Sequence, residues 1–580
     1  MTKLKYVGLL ALAILTSSCE KLLQEDPKFS INSKTAFETE STANIALNGC
    51  YGYLTTTAAY GQQITEVLIA TSGLAWSQTN KSENDLMASL TTPATTGFIK
   101  VAWGSYYKVI GQCNFFISSV TASNLSDDYK KQSIAQAKFL RGFAYFNLAN
   151  MFGDVPLRLD PTSTTTIAAG RTARATIYAQ VEKDWLEAAE DLKTKEQLGI
   201  GGVGKATKYA AYAYLAKFYF TLASHDNVSS SPYWAKAKVM GDKVILDGKY
   251  DLEPLFSKLF TNYISNSPES IFQLNFSTTS ASTGNRTSWV VSPANSTTGI
   301  SFGRERSSKA FYDLFKGTYI DDPRINVTFA TTWKSLNNNQ QQFSYPYVRS
   351  GNLGTASAPI FKAIDSIKYE TLSNPTNPKV SEVSALFATN FIKKVGDHQG
   401  WPYFKKAMDV TATAQFSNRN IILFRYADFL LLMADVENEL NNKDKAVEYI
   451  NKVLTRARTS ATPASINPKN VLVTISKDDL RDKVFFERLF ELGGEVETFF
   501  DTRRRGVDYF SKIVVGVHNS HNITNAFIDF ATANGNVTNF RDRLLPATAD
   551  LLKKNLLLPI PTDEINTNDE IGESDQNFGY

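Results

Sequence analysis

The chain has 580 residues, 43% of them apolar and 20% charged, the balance of a globular protein rather than a disordered or fibrous one. Its 61 Lys and Arg nearly cancel its 57 Asp and Glu, and the net charge of +4 falls to +2 once Lys3 and Lys5 are removed. That near-neutrality argues against a nucleic-acid partner, and the 37 Phe, 26 Tyr and 7 Trp are expected mostly in the core.

Residues 1–18 read as a targeting segment. Lys3 and Lys5 form a basic start, and Val7 to Leu15 is an apolar run too short to span a bilayer. The run ends at Thr16-Ser17-Ser18-Cys19. Small residues directly before a cysteine resemble a bacterial lipobox, cleaved before Cys19 and acylated on it, although the customary Leu sits one place farther upstream. An ordinary secretory signal is the alternative. Several acyl chains on Cys19 would anchor the protein to a membrane where one would not. Residues 19–33, polar and without periodicity, read as a tether to the body.

Cys50 and Cys113 are the other cysteines. They either pair in an oxidising compartment or sit as buried apolar residues. No Cys/His spacing reads as zinc. His518 and His521, in a stretch rich in Asn and Ser, read as a solvated loop pair and not as a metal site.

Residues 34–251 carry helical spacing throughout. Val101 to Ala122 is the first long helix. The stretch Ala135 to Phe152 follows, with Leu140, Ala144 and Leu148 four apart and Phe139, Phe143 and Phe146 widening the apolar face. Gly153 ends that helix and Pro156 prevents its return. Ile177 to Leu192 is a further helix. A glycine cluster (Gly199, Gly201, Gly202, Gly204) has no apolar strand before it, so it reads as a break ahead of a helix capped by Thr207, not as a phosphate loop. That helix, Lys208 to Ala223, alternates Ala with Tyr and Phe, as tetratricopeptide-type helix pairs do. Tyr233 to Leu246 is its partner. Residues 252–418 change character: Ser, Thr, Asn, Gly and Pro dominate, with brief strands such as Ile271 to Leu274. This is too long for a plain loop and reads as a loop-rich functional insertion. Residues 419–580 return to helix with a second pair, Arg425 to Leu440 and Lys445 to Ala457. Ser476 to Leu492 follows, with Ser476 and Asp479 resembling a capping box. Glu487 and Arg488 are read as braces between helices rather than as catalytic groups.

Several motifs together resemble the SusD/RagB family. "AKFLRGFAYFNLANMFGDVPL" is similar to its Arg-Ala-Tyr-Phe helix followed by Phe-Gly-Asp-Val-Pro-Leu, with Gly142 in place of the usual Ala, a small-for-small exchange. Residues Asn48-Gly49-Cys50-Tyr51 resemble its early helix. "FFERLFELGGEVETFFDTRRRG" matches its Glu-Arg signature at Glu487, Arg488, Glu491, Leu492, Gly494, Glu495 and Asp501, and departs from it at Thr502 and Arg505. "LLLPIPTDEINTND" and "QNFGY" resemble its tail, with Phe578 replacing a Pro. The resemblance runs from residue 19 to 580. It implies a mainly α fold, in which tetratricopeptide-like helix pairs form a scaffold and a loop-rich insertion holds short strands. Such proteins are outer-membrane lipoproteins of Bacteroidetes that capture nutrients, most often glycans, for a SusC-like TonB-dependent transporter; some members resemble peptide binders.

Three functions compete: a nutrient-binding lipoprotein, a glycoside hydrolase with two carboxylates across a cleft, and a helical scaffold binding only protein. The sequence carries no nucleophile elbow, metal motif or cofactor fingerprint. A sugar offers an apolar face of C–H groups to a flat ring, and such rings are expected in loops. Trp76, in a polar stretch between early helices, and Trp289 and Trp333, in the insertion, are the candidates. Asn80 and Arg286 are their polar neighbours. Starch-binding members of the family form a stacking arc from these two regions. Trp103, Trp185 and Trp234 fall on helical patterns and are assigned to the core.

Overall fold

The structure, a computed structural model, describes residues 35–77, 82–163, 168–261, 267–277, 284–293, 296, 301–334, 342–344, 347–355, 358–363, 402–409, 412, 415–524 and 544–580. Cys19, the tether and Asn80 lie outside these residues.

Capping chemistry sets the helix starts. Thr39 opens Glu40–Gly52 with a full capping box. Ser126 accepts from the Tyr129 N–H to open Asp127–Phe152, and Asp127 and Asp128 in the first turn oppose the helix dipole. Gly153, at φ 77°, closes that helix by donating its N–H to the Ala149 carbonyl. As expected, Thr207 caps Lys208–Asp226 through the Ala210 N–H. Ser476 accepts from the Asp479 N–H to open Lys477–Leu492, but the expected capping box is only half built: the Asp479 carboxylate takes the Ser476 hydroxyl at 2.6 Å.

The long helix Asp127–Phe152 packs between Gly97–Ala122 and Arg174–Asp191, and Arg174–Asp191 packs in turn on Lys208–Asp226. Lys208–Asp226 and Pro232–Asp247 form one helical hairpin; Tyr426–Glu439 and Lys443–Thr459 form the second, which leans on the first. One apolar core runs through residues from Ala36 to Ile560, so these helices share a single interior. Trp103, Trp185 and Trp234 are buried in it, as predicted.

Gly142 turns out not to be a neutral exchange. A Cβ there would lie 2.7 Å from Trp185 Nε1, whose N–H donates to the Phe139 carbonyl at 3.0 Å. The indole fills the space that an alanine would need.

Within 252–418 the brief strands are present. Ser270–Leu274 pairs antiparallel with Ile421–Arg425 at the entrance to the second hairpin. The insertion also holds a helix that composition concealed, Lys309–Thr318, capped by Ser308 and burying Phe311, Tyr312 and Phe315. One other expectation changes: His518 sits in the helix Gly516–Thr524 and is only 4% exposed, so it is not a solvated loop residue. Of the two alternatives for Cys50 and Cys113, the structure has the second, both free and buried. No described helix is long and apolar enough to cross a membrane.

Glu487 and Arg488 are braces. Arg488 reaches Asp428 at 2.6 Å and Asp501 at 2.7 Å. Glu487 accepts from Arg324 at 2.5 Å and from the Tyr319 hydroxyl at 2.7 Å. Nearby Glu491 meets Arg324 at 2.8 Å, Arg425 at 2.6 Å and Arg456. Burial alone would raise the Glu491 carboxyl, but Arg456, Arg425 and Arg324 hold it well below the carboxylate range.

Two stability measurements check this packing. Gly142→Ala is expected to lower stability by about 1–3 kcal/mol through overpacking against Trp185, read as a shift of the urea midpoint. Arg488→Met should lower it by about 3–5 kcal/mol, because Asp428 and Asp501 would each lose their shortest cationic partner and keep only Lys217 at 3.3 Å and Arg504 at 3.5 Å.

Candidate functional site

A small four-stranded antiparallel sheet gathers the candidate rings. Its strands lie in the order Ala75–Ser77, Glu305–Ser307, Tyr403–Phe404, Phe329–Ala330. Trp76 stands opposite Arg306, and Arg306 opposite Tyr403. Opposed residues on adjacent strands share a face. The Arg306 guanidinium accordingly lies 5.2 Å from the Trp76 ring centre and 4.6 Å from that of Tyr403. Trp333, on the strand Thr332–Lys334, meets Tyr403 edge-on at 4.9 Å. Arg306 and Tyr403 are fully buried and Trp333 is 9% exposed, whereas Trp76 is half-buried, so Trp76 is the ring of this row that solvent reaches best.

A second group adjoins the first, because the single-turn helix Thr287–Val291 packs on the strand Glu305–Ser307. The Phe302 N–H donates to the Trp289 carbonyl at 3.0 Å and the Arg304 N–H to the Val290 carbonyl at 2.9 Å. These bonds stack four side chains. Arg286 sits 4.2 Å over Trp289, Trp289 meets Phe302 edge-on at 4.1 Å, and Arg304 lies 4.9 Å from the Phe302 ring centre. Phe302 is 43% exposed. The Trp289 indole N–H and Arg286 Nε are buried without a hydrogen-bond partner among the described residues. Burial comes first in lowering the Arg286 pKa, with Arg304 adding to it.

Strand pleating turns Glu305 to the face opposite Arg306. There its carboxylate accepts from Asn84 Nδ2 at 2.6 Å, and the same amide reaches Glu66 at 3.4 Å. Burial, then the neighbouring Glu66, pushes the Glu305 carboxyl well above its ordinary value. Burial likewise raises Glu66, against the pull of Arg304. Both are completely enclosed. Among the described residues no three His, Cys, Asp or Glu are grouped to hold a metal ion.

The structure therefore joins Trp76 to Trp333 through Arg306 and Tyr403, and Arg286 to Trp289. It corrects the loop placement: Trp76 and Trp333 are on strands and Trp289 is on a helical turn. The sequence reading missed Phe302, Arg304, Arg306 and Tyr403. Arg304, Glu305 and Arg306 are all charged, so no apolar–polar alternation marks a strand here. Nothing local marks Tyr403, whose place comes from the sheet.

Comparison with known proteins completes the assignment. The fold, with helical hairpins carrying a small sheet, is that of the SusD-like proteins. Residues 268–580 match the model of the SusD family, and residues 23–220 match a model described as starch-binding associating with outer membrane. The chain belongs to the SusD family. Among curated relatives, SusD-like protein P25 of Formosa agariphila is 24% identical over 97% of both chains, and SusD-like protein P2 of the same organism is 24% identical over 87% of this chain and 91% of its own. A SusD homolog from Bacteroides thetaiotaomicron superposes with a TM-score of 0.74 at 20% identity, covering 96% of this chain and 100% of that one. A laminarin binding SusD-like protein gives 0.62 at 18%, covering 94% and 100%, and surface glycan-binding protein A from Bacteroides uniformis gives 0.63 at 17%, covering 93% and 99%.

The Glu305 carboxyl makes a pH-dependent contribution of defined sign. Its folded pKa is raised, so the folded state keeps a proton that the unfolded chain loses above about 4.3. Stability from this group is full below that pH and is lost as pH rises toward the folded value. Glu305→Gln keeps an acceptor for Asn84 and removes the titration. Its melting temperature should gain on that of the parent progressively from pH 4 to pH 8, with little difference at pH 4.

Proposed function

We propose that the mature chain is a lipid-anchored outer-membrane protein that binds a glycan at the Trp76–Trp289 surface and passes it to a SusC-like TonB-dependent transporter. The observation that carries this reading is the aromatic surface with its cationic backing. Trp76 and Trp289 are accessible enough to stack on the C–H face of a sugar, and Phe302 extends them. Arg306 lies against the Trp76 ring and Arg286 against the Trp289 ring, which fixes them at small entropic cost on ligand binding. Trp333 holds Tyr403 in place beneath the row, Arg286 reads hydroxyl groups, and Asn80, outside the described residues, is the second polar candidate. Most of these residues come from 252–418, the proposed ligand-binding insertion, and Trp76 comes from the helical region 34–251.

Binding is favoured over hydrolysis. Glycoside hydrolysis needs two carboxylates facing substrate across a cleft, and the paired carboxylates beside this surface, Glu66 and Glu305, are enclosed and joined through Asn84. The relatives named for laminarin or glycan binding, and the outer-membrane wording of one matching model, support both the ligand class and the location. Residues 1–18 then act as the export signal and Cys19 as the lipid attachment point. No cofactor takes part.

Titration against a panel of oligosaccharides, with oligopeptides alongside, tests the ligand class. Trp76→Ala and Trp289→Ala should each weaken binding of the best glycan by about 1–3 kcal/mol, the size of a base–aromatic stack, with little change in melting temperature. Unchanged glycan affinity in both variants, or binding confined to peptides, would overturn the glycan assignment. Mass spectrometry of the mature N-terminal peptide is expected to find acyl groups on Cys19. Purification in mild detergent from the native outer membrane is expected to recover a large TonB-dependent protein alongside this one.

A further inference from the structure

Away from the aromatic sheet, a cavity of about 340 Å³ opens into the helical body. Its wall is mostly apolar, with Phe143, Leu423 and Val496 among the lining side chains. Both motif-bearing stretches line it. Phe146 and Asn147 come from Asp127–Phe152, and Phe500, Asp501 and Arg503 come from the Thr498–Arg503 segment. Phe220, from Lys208–Asp226, adds a third aromatic wall.

Its polar groups are unevenly spread. The inner lining carries both signs: Lys217 is paired with Asp428 and Glu497 and Arg504 with Asp435, while Arg503 donates to the Asn555 and Thr71 carbonyls. Asp501 is 2% exposed, and its Oδ2 has no hydrogen-bond partner among the described residues. The outer lining is purely cationic. Lys553 is exposed, and Arg174 and Lys554 are half-exposed. Each of the three lies over a ring, of Phe578, Tyr178 and Tyr580 respectively. None is within ion-pair distance of a described carboxylate. An apolar pocket of a few hundred cubic ångströms with a few convergent polar groups has the make-up of a small-molecule site.

We propose that this cavity is a second binding site for a small, flat acid bearing a hydroxyl group. The ring system lies among Phe146, Phe220 and Phe500, the acid faces Arg174, Lys553 and Lys554, and the hydroxyl donates to Asp501. The site is separate from the glycan surface and does not depend on that reading.

Isothermal titration with 6-hydroxynaphthalene-2-sulfonate tests it, on the full chain carrying Cys19→Ala so that no detergent is needed. One probe per chain is expected to bind. 2-Naphthol, which lacks the acid, should bind at least tenfold more weakly. Lys553→Glu, at an exposed position that leaves the fold intact, should weaken the sulfonate at least tenfold, and Thr221→Trp, which fills the cavity, should abolish its binding. Trp76→Ala should leave it unchanged. Absence of sulfonate binding, equal affinity for 2-naphthol, an unaffected Lys553→Glu variant or loss of binding in Trp76→Ala would each overturn the proposal.

Discussion

Three arginines converge on Glu491, and the placement of the aromatic sheet depends on that convergence. Arg324 comes from the insertion, Arg425 from the strand that enters the second hairpin, and Arg456 from the hairpin's return helix. Taking these charges out of water is unfavourable, so each one is held by more than one partner: Arg324 also grips Asp322 and Glu487, and Arg456 also grips Glu269. Arg324 lies just ahead of the strand Phe329–Ala330. Lys406, just beyond the strand Tyr403–Phe404, donates to the Glu491 carbonyl at 2.7 Å and to the Glu495 carboxylate at 2.8 Å. Two strands of the small sheet are thereby tied to the end of one helix. Burial pushes the Lys406 pKa down to about 8, with Glu495 opposing the shift.

The fold could be read far into the sequence because its signals are local. Caps at Thr207 and Ser476, the terminating Gly153, and the Ala–aromatic alternation of Lys208–Asp226 each act within a few residues, so these ends were found to within a turn, while the helix that Gly153 closes starts at Asp127, eight residues ahead of the Ala135 read from periodicity. The roles of Glu487 and Arg488 were legible for a different reason. A charged pair flanked by Phe485, Phe486, Leu489 and Phe490 has few favourable fates other than bracing its neighbours.

The site was legible only in outline. Trp76 and Trp289 are conspicuous because tryptophans are few, and Arg286 because it is close to Trp289 in sequence. Arg306 and Tyr403 were invisible because their role is created by pairing across strands, and strand register between distant segments leaves no mark in either one. The helix Lys309–Thr318 was hidden by the Ser, Asn and Gly that surround it. Gly142 was misjudged because its constraint comes from Trp185 on another helix, a packing fact that no local rule contains.

The sheet that holds the rings has a temporal consequence. Trp76 pairs with Arg306 and Arg306 with Tyr403, contacts that join distant parts of the chain. Closing such loops is slow relative to forming helical hairpins. During synthesis the helical hairpins can therefore assemble piece by piece, but the Trp76–Arg306–Tyr403 row cannot close until residue 404 has emerged and returned to its partners. A chain stalled or cut before that point can form the hairpin of Lys208–Asp226 and Pro232–Asp247 and still lacks the Trp76–Arg306–Tyr403 row, so an intact row is itself a mark that the polypeptide was made past residue 404.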